Sequence, residues 1–226
     1  MTNSAESNSI FWERGCTAPN VESIVFRTHN RILAPMFAPE TRGQVNTLDF
    51  GCGQGATVNF FHQQGYNARG VDASSKDIGI ACKIYSDISS KFEVCHVDPA
   101  KNDCYGFPSN ISLVTAIQSL YYLSDDNLRL CVQKLCSSMR SGGVLYATMM
   151  GPQSFFFANS TEQPDGMRPV RFTSTRQTID HYYVNFTMDE SHLTRKFHFL
   201  SRFISANMRL TTAKAKAKNF ITPSVA

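Results

Sequence analysis

Leu48-Asp49-Phe50-Gly51-Cys52-Gly53-Gln54-Gly55, with Gly70-Val71-Asp72 further along, is the stretch that decides the fold. It reads as a short apolar strand with an acid near its end, a glycine-rich turn, a helix from about Ala56, and a second strand closed by an acid. Glycines let the backbone leave the strand sharply and approach a ligand with no Cβ in the way. The helix that follows aims its unpaired N–H groups and positive dipole end at whatever lies above the turn. An acid closing the second strand can accept both hydroxyls of a ribose. These parts predict a nucleoside-containing cofactor.

The spacing alone leaves two cofactor classes open. Gly51-x-Gly53-x-x-Ala56 also satisfies the dinucleotide fingerprint with Ala in third place, so a nicotinamide-dependent oxidoreductase is the alternative reading. Asp49 discriminates between the two. A carboxylate two residues before the first glycine lies beside the cofactor, where it repels a pyrophosphate and attracts a cation. S-adenosylmethionine has no phosphate and carries a sulfonium and an ammonium group. The stretch from Leu48 to Gly55 therefore resembles the first motif of the class I S-adenosylmethionine-dependent methyltransferases.

The resemblance continues over roughly residues 45–150, with five motifs in order. Val71-Asp72-Ala73-Ser74 looks like the second motif, which implies that Asp72 holds the ribose. Val94-Cys95-His96-Val97-Asp98 is similar to the third strand, whose closing acid, here Asp98, lies near the adenine amino group. The run from Ile111 to Leu123 resembles the fourth strand and the segment beneath the cofactor. Ser141-Gly142-Gly143, leading to Met149, looks like the glycine turn and fifth strand. By this resemblance the cofactor-binding residues are Asp49, Gly51, Cys52, Gly53, Gly55, Asp72, Ala73, Asp98 and Gln118. The implied fold is α/β, a Rossmann-like, doubly wound, mostly parallel sheet of six to seven strands. The implied reaction is methyl transfer by in-line displacement.

Composition fits one large α/β domain. The chain has 226 residues, of which 42% are hydrophobic. Its polar opening, Met1 to Ser9, has no basic n-region or apolar h-region, and no apolar run approaches the roughly 18 residues that cross a bilayer. A soluble, cytoplasmic protein with no membrane partner is expected. Cys16, Cys52, Cys82, Cys95, Cys104, Cys131 and Cys136 form no C-x-x-C pair and read as reduced thiols packed as small hydrophobes. No metal site is expected, because Cys95 and His96, adjacent on a strand, point to opposite faces. Much of the net charge of +4 comes from Lys214, Lys216 and Lys218 near the C-terminus, so the domain itself is close to neutral. Nucleic-acid enzymes carry a basic stripe on the folded domain.

Residues 1–35 read as a tail and a cap helix, with Trp12 as an anchor and Pro19 in the first turn of a helix running to about Ile32. Residues 36–210 read as the domain, with strands near 45–50, 67–71, 92–96, 111–117 and 143–149 and helices near 56–64, 76–88 and 126–139. Residues 151–180 break the rhythm and read as a lid or substrate insertion. A strand follows at 180–187, then a helix that Thr187 caps, with Glu190 completing a capping box. Phe199 to Leu210 supplies one further strand. The Ala/Lys-rich stretch 211–226 reads as a flexible basic tail, which leaves the C-terminal antiparallel hairpin incomplete.

Methyl transfer from a sulfonium expels a neutral thioether and needs no acid, whereas a hydroxyl or protonated amine acceptor benefits from a base. His181 is the first candidate base, since its intrinsic pKa suits proton removal near neutrality. Tyr121 is a second catalytic candidate beside Tyr122, and Gln118 is the polar contact to the cofactor. Arg168, Arg171 and Arg176 in the insertion are candidates to clamp an anionic acceptor. Amino methylation of DNA bases is disfavoured, because Gln118-Ser119-Leu120-Tyr121 replaces the Asn/Asp-Pro-Pro-aromatic run of those enzymes. No Pro-Cys dipeptide occurs, which excludes the cytosine-C5 type. A small-molecule or sugar-like acceptor is the expectation. The shortened C-terminal end also leaves open a protein that binds the cofactor without transferring methyl groups.

Overall fold

The computed structural model describes residues 23–103, 105, 109–173, 178–200, 202–208 and 216–222. The chain enters through α1 (Ser23–Thr28), a π-helical stretch His29–Leu33 and α2 (Ala34–Met36). The expected N-terminal helix is thus present from Ser23, and Trp12 and Pro19 lie outside the described residues. Strands and helices then alternate: β1 (Asn46–Phe50), α3 (Ala56–Gln63), β2 (Asn67–Asp72), α4 (Ser75–Ile84), β3 (Phe92–Val94), β4 (Ile111–Ala116), α5 (Asp125–Ser138) and β5 (Met139–Thr148). The second half adds α6 (Phe155–Ala158), β6 (Met167–Thr173), β7 (Thr178–Asn185), α7 (Glu190–Lys196), β8 (Arg202–Met208) and β9 (Lys216–Thr222).

Five parallel strands make the body of the main sheet, in the order β3-β2-β1-β4-β5. The chain reverses its direction of sheet growth between β1 and β4, which leaves a crevice above the carboxyl ends of the strands. The antiparallel pair β9 and β8 extends the sheet past β5. This corrects the incomplete hairpin: Lys216–Thr222, inside the stretch read as a flexible tail, pairs with both β5 and β8. Lys and Ala are weak strand formers, so composition argued against a strand there. A ladder needs only backbone N–H and C=O groups, however, and β5 and β8 provide them on both sides.

The period of two along the strands sorts their side chains onto two cores. Leu48, Val114, Leu145 and Ala147 join Leu128, Val132 and Leu135 of α5 on one face. Leu113, Val144 and Tyr146 join Val58 and Phe61 of α3, Ile78 and Ala81 of α4, and Val25 and Leu33 on the other. The described residues after β5 form α6 and a separate two-stranded antiparallel sheet of β6 and β7. Val170, Tyr182, Val184 and Phe186 of that unit are buried with Leu193 and Phe197 against the α5 face. The helix after it is capped by Asp189, whose carboxylate accepts from the His192 N–H at 2.7 Å, and not by Thr187. A carboxylate at a helix N-terminus also meets the positive dipole end, and the buried Thr187 hydroxyl finds no partner among the described residues.

Lys196 ties these parts together. Its buried ammonium donates to Asn185 Oδ1 and to the Phe186 carbonyl at 2.8 Å, and lies 3.8 Å from Asp125 Oδ1. Asn185 in turn donates to the Leu123 carbonyl and to Asp125 Oδ1, both at 2.9 Å. Burial pushes the ammonium down to about 8, against the attraction of Asp125. Lys196→Met leaves two buried acceptors unpaired and is expected to destabilise the fold by about 2–3 kcal/mol. Between about pH 8 and the unfolded value of 10.5 the unfolded chain binds more protons at this residue, so wild-type stability rises with pH there. Urea denaturation at pH 7.5 and 9.5 checks both claims, because the variant loses that contribution to the rise.

Candidate cofactor and active site

The turn after β1 is built by backbone geometry that glycine permits. Gly51, Gly53 and Gly55 have φ of 75°, 51° and 82°. The Gly51 and Cys52 N–H groups both donate to the Val71 carbonyl, at 2.8 and 3.0 Å, so the turn is fastened to β2. A Cβ on Gly51 would lie 2.4 Å from the Ser119 Cβ, whereas one on Gly53 would meet nothing within 4 Å. Gly53 thus faces open space. Gly55 is the N-cap of α3 and offers no side chain to its first turn, whose N–H groups therefore stay available.

Two carboxylates lie at this turn. Asp72, closing β2, accepts from the Gly53 N–H through Oδ2 and from the Ser74 N–H through Oδ1, each at 2.8 Å. Each oxygen retains a second lone pair. Burial raises its carboxyl above the ordinary range, against these hydrogen bonds. Asp49, 4% exposed, sits opposite Thr115 in the β1–β4 register and accepts its hydroxyl at 2.6 Å. Burial lifts Asp49 to about 7, and the neighbouring Asp72 charge adds to the rise. Among the described residues no basic side chain pairs with either acid. Burial, with both carboxylates adding, also pushes the Cys52 thiol up, so it stays neutral.

The other predicted residues fall around the same crevice or just beyond it. Ala73 is exposed at the end of β2. Cys95 extends β3, its N–H donating to the Asp72 carbonyl at 2.9 Å. Asp98 caps a single turn, Pro99–Lys101, with Oδ1 accepting from the Ala100 N–H at 2.9 Å. Gln118 follows β4 with φ of 58°, a left-handed conformation that costs a residue with a Cβ about 1–3 kcal/mol. Its N–H donates to Thr148 Oγ1 at 2.7 Å. Ser119 Oγ donates to the Phe50 carbonyl at 2.8 Å and locks the segment onto the glycine turn. Among the described residues no three His, Cys, Asp or Glu groups gather as a metal would require.

The catalytic candidates divide. Tyr121 is buried in the turn Leu120–Tyr122, and its hydroxyl accepts from Tyr122 at 3.5 Å. The Tyr122 and Tyr182 hydroxyls are 2.7 Å apart. Burial raises Tyr122 and holds Tyr182 up at about 12, so these two phenols are neutral. His181 lies on β7, and its side chain is outside the described residues. Arg168 is already engaged: its guanidinium donates to Ser160 Oγ and Glu162 and stacks 4.5 Å over the Phe157 ring. Arg171 is exposed, and Arg176 is not among the described residues. Thr115, Ser119 and Thr148 were absent from the sequence expectations, because a hydroxyl's partner across a sheet leaves no local signal.

A glycine turn, a helix start and two carboxylates with no basic partner among the described residues suit a nucleoside cofactor that carries positive charge and no phosphate. The comparisons agree. A methyltransferase domain family matches residues 20–198. The chain belongs to that family. Its sheet, turn and flanking helices are those of the class I enzymes, whose cofactor is S-adenosylmethionine. Among solved structures, a protein from Pyrococcus horikoshii OT3 superposes with a TM-score of 0.68 at 14% identity, covering 95% of this chain and 99% of that one. An S-adenosylmethionine-dependent methyltransferase from Clostridium acetobutylicum gives 0.59 at 11%, over 89% and 98%. The CcbJ methyltransferase from Streptomyces caelestis gives 0.59 at 13%, over 82% and 96%. No curated protein sequence matches the chain. The family match sets aside the nicotinamide-dependent alternative.

Proposed function

We propose that this methyltransferase transfers the methyl group of S-adenosylmethionine to a small-molecule or sugar-like acceptor. The observation that carries the cofactor half is the pair Asp49 and Asp72, one carboxylate buried and the other half-buried, with no basic partner among the described residues. A cationic ligand offsets both, and a pyrophosphate would be repelled by them. When bound, the cofactor supplies a methyl group on a sulfonium, whose departing thioether needs no proton. In this reading Asp72 turns its remaining lone pairs to the ribose, Gly53 leaves room for the ligand, and Gly51 and Cys52 hold the turn. Asp98 and Ala73 border the base, and Gln118 contacts the amino-acid end.

The acceptor half rests on the segment after β4, which lacks the DNA-methylating sequence, and on the near-neutral domain charge. The insertion 151–180 is read as the acceptor-side wall. His181 on β7 is the proposed base, and Tyr121 is the second catalytic candidate. The motive for a non-catalytic binder was a missing strand, and β9 removes it. The five described cysteines are free, which supports a reducing, cytoplasmic setting.

Calorimetry with S-adenosylmethionine and its demethylated product is expected to give micromolar binding, on the order of −8 kcal/mol. No heat and no thermal shift with either ligand would overturn the cofactor assignment. Extract incubated with isotopically labelled cofactor, followed by mass spectrometry, identifies the acceptor; a labelled DNA, RNA or protein product refutes the small-molecule reading. For His181, turnover is expected to fall as pH drops through the histidine range, and His181→Ala should flatten that limb. An unchanged profile returns His181 to a structural role.

A further inference from the structure

We infer that Thr148 is a positioning residue for this site: its hydroxyl holds Gln118 in the backbone conformation that turns the end of β4 under the glycine turn. The inference rests on the cofactor reading above and assigns a part to a residue outside every expected site. The β4–β5 ladder makes its last pair at Ala116↔Ala147. Beyond it the two chains no longer bond through their backbones, and the Thr148 hydroxyl takes the Gln118 N–H at 2.7 Å. Thr148 is buried at the end of β5, and its backbone is paired on the other side with Lys218 of β9, so the hydroxyl is carried by a braced strand.

The conformation it secures is unusual for its residue. Only two non-glycine residues have positive φ among the described ones, Asn110 and Gln118. Asn adopts this region readily because its short amide bonds locally, and Gln does not. Strain of this kind persists where the surroundings over-determine it, as at ligand sites. Here the surroundings are two hydroxyls: Thr148 on the Gln118 N–H, and Ser119 on the Phe50 carbonyl at 2.8 Å. The reversal delivers the Ser119 Cβ into the space that a side chain at Gly51 would need. It also leaves the Gln118 carboxamide half-buried with no hydrogen bond to a described residue, available to a ligand beside the turn.

The test measures calorimetric binding of S-adenosylhomocysteine to wild type, Thr148→Val, Thr148→Ala, Thr148→Ser, Gln118→Gly and the double variant Thr148→Val/Gln118→Gly. Loss of the hydroxyl in Thr148→Val or Thr148→Ala is expected to weaken binding roughly tenfold, the size of one lost hydrogen bond. Thr148→Ser is expected to stay within about twofold of wild type, because the acceptor is kept. Glycine adopts a φ of 58° without strain, so in the Gln118→Gly background Thr148→Val should have almost no further effect. Thr148→Ser as weak as Thr148→Ala overturns the inference, as does the same tenfold loss in both backgrounds or wild-type affinity in Thr148→Val. Wild-type protein that gives no heat overturns the cofactor reading, and this inference with it.

Discussion

Gly51→Ala is expected to cost the fold about 2–5 kcal/mol, whereas Gly53→Val costs it about 1–2 kcal/mol and removes cofactor binding. Both glycines have positive φ, so both substitutions carry backbone strain of roughly 1–2 kcal/mol. The difference lies in what surrounds them. At Gly51 the new Cβ would stand 2.4 Å from the Ser119 Cβ, and Ser119 cannot move off freely. Its hydroxyl is bonded to the Phe50 carbonyl, and its neighbour Gln118 is held by Thr148. Relief requires the end of β4 or the glycine turn to shift, and overpacking of that kind adds about 1–3 kcal/mol. For a domain stable by about 5–15 kcal/mol the sum is a large fraction. At Gly53 nothing lies within 4 Å, so the valine branches project into the space the ligand would fill. Denaturation midpoints and S-adenosylhomocysteine calorimetry on both variants separate the two effects. A Gly53→Val protein that binds normally would show that the ligand does not approach the turn.

These glycines were legible in the sequence for the same reason that they matter. A positive φ, a strand that must stop and a helix that must start are local demands, and Gly51, Gly53 and Gly55 answer them locally. The five parallel strands and the helices α3, α4 and α5 were legible too, since apolar periodicity reports which face is buried before the partner is known. The acids needed one more step. Asp49 was read as a charge beside the cofactor, but its hydrogen bond comes from Thr115, 66 residues away, which no local pattern announces. Asp72 was read as a ribose ligand, yet it also braces the Gly53 and Ser74 N–H groups.

The second half was less legible because tertiary context decides it. The stretch from Gly151 to Asp180 carries Pro, Gly and Ser in loop-like density, and its small sheet is stabilised by burial of Val170 and Tyr182 on the α5 face. Asp189 displaced Thr187 as the helix cap through a difference of two residues, within the range over which helix starts shift. Lys216 and Lys218 concealed β9, where backbone pairing to β5 and β8 outweighs propensity.

Asp49→Asn is expected to make the protein more stable near neutral pH and a weaker binder of its cofactor. Burial, supplemented by Asp72, raises this carboxyl from 3.8 to about 7, so the fold prefers it protonated. Between those values the folded chain holds a proton that the unfolded chain releases, and stability therefore falls as pH rises from about 4 to about 7. Above pH 7 the full cost of the buried charge is present, at most about 4 kcal/mol at 1.36 kcal/mol per pKa unit. Asparagine keeps an acceptor for the Thr115 hydroxyl and carries no charge. Its amide N–H groups need acceptors of their own, so a gain of about 1–3 kcal/mol is expected. The part of the pH slope due to Asp49 disappears, and that due to Asp72 remains. Binding moves the opposite way: the variant loses the anion that faces a cationic ligand, and affinity drops by roughly tenfold or more. Wild-type affinity should also rise through pH 7 as the carboxyl ionises, and the variant loses the part of that rise due to Asp49. Urea titrations from pH 5 to 8, with calorimetry in the same buffers, check both halves. A variant that is no more stable at pH 8 and binds as tightly as wild type would place Asp49 outside the site. On the proposed reading, Asp49 is a residue whose cost to the fold is offset only when a cationic ligand is bound.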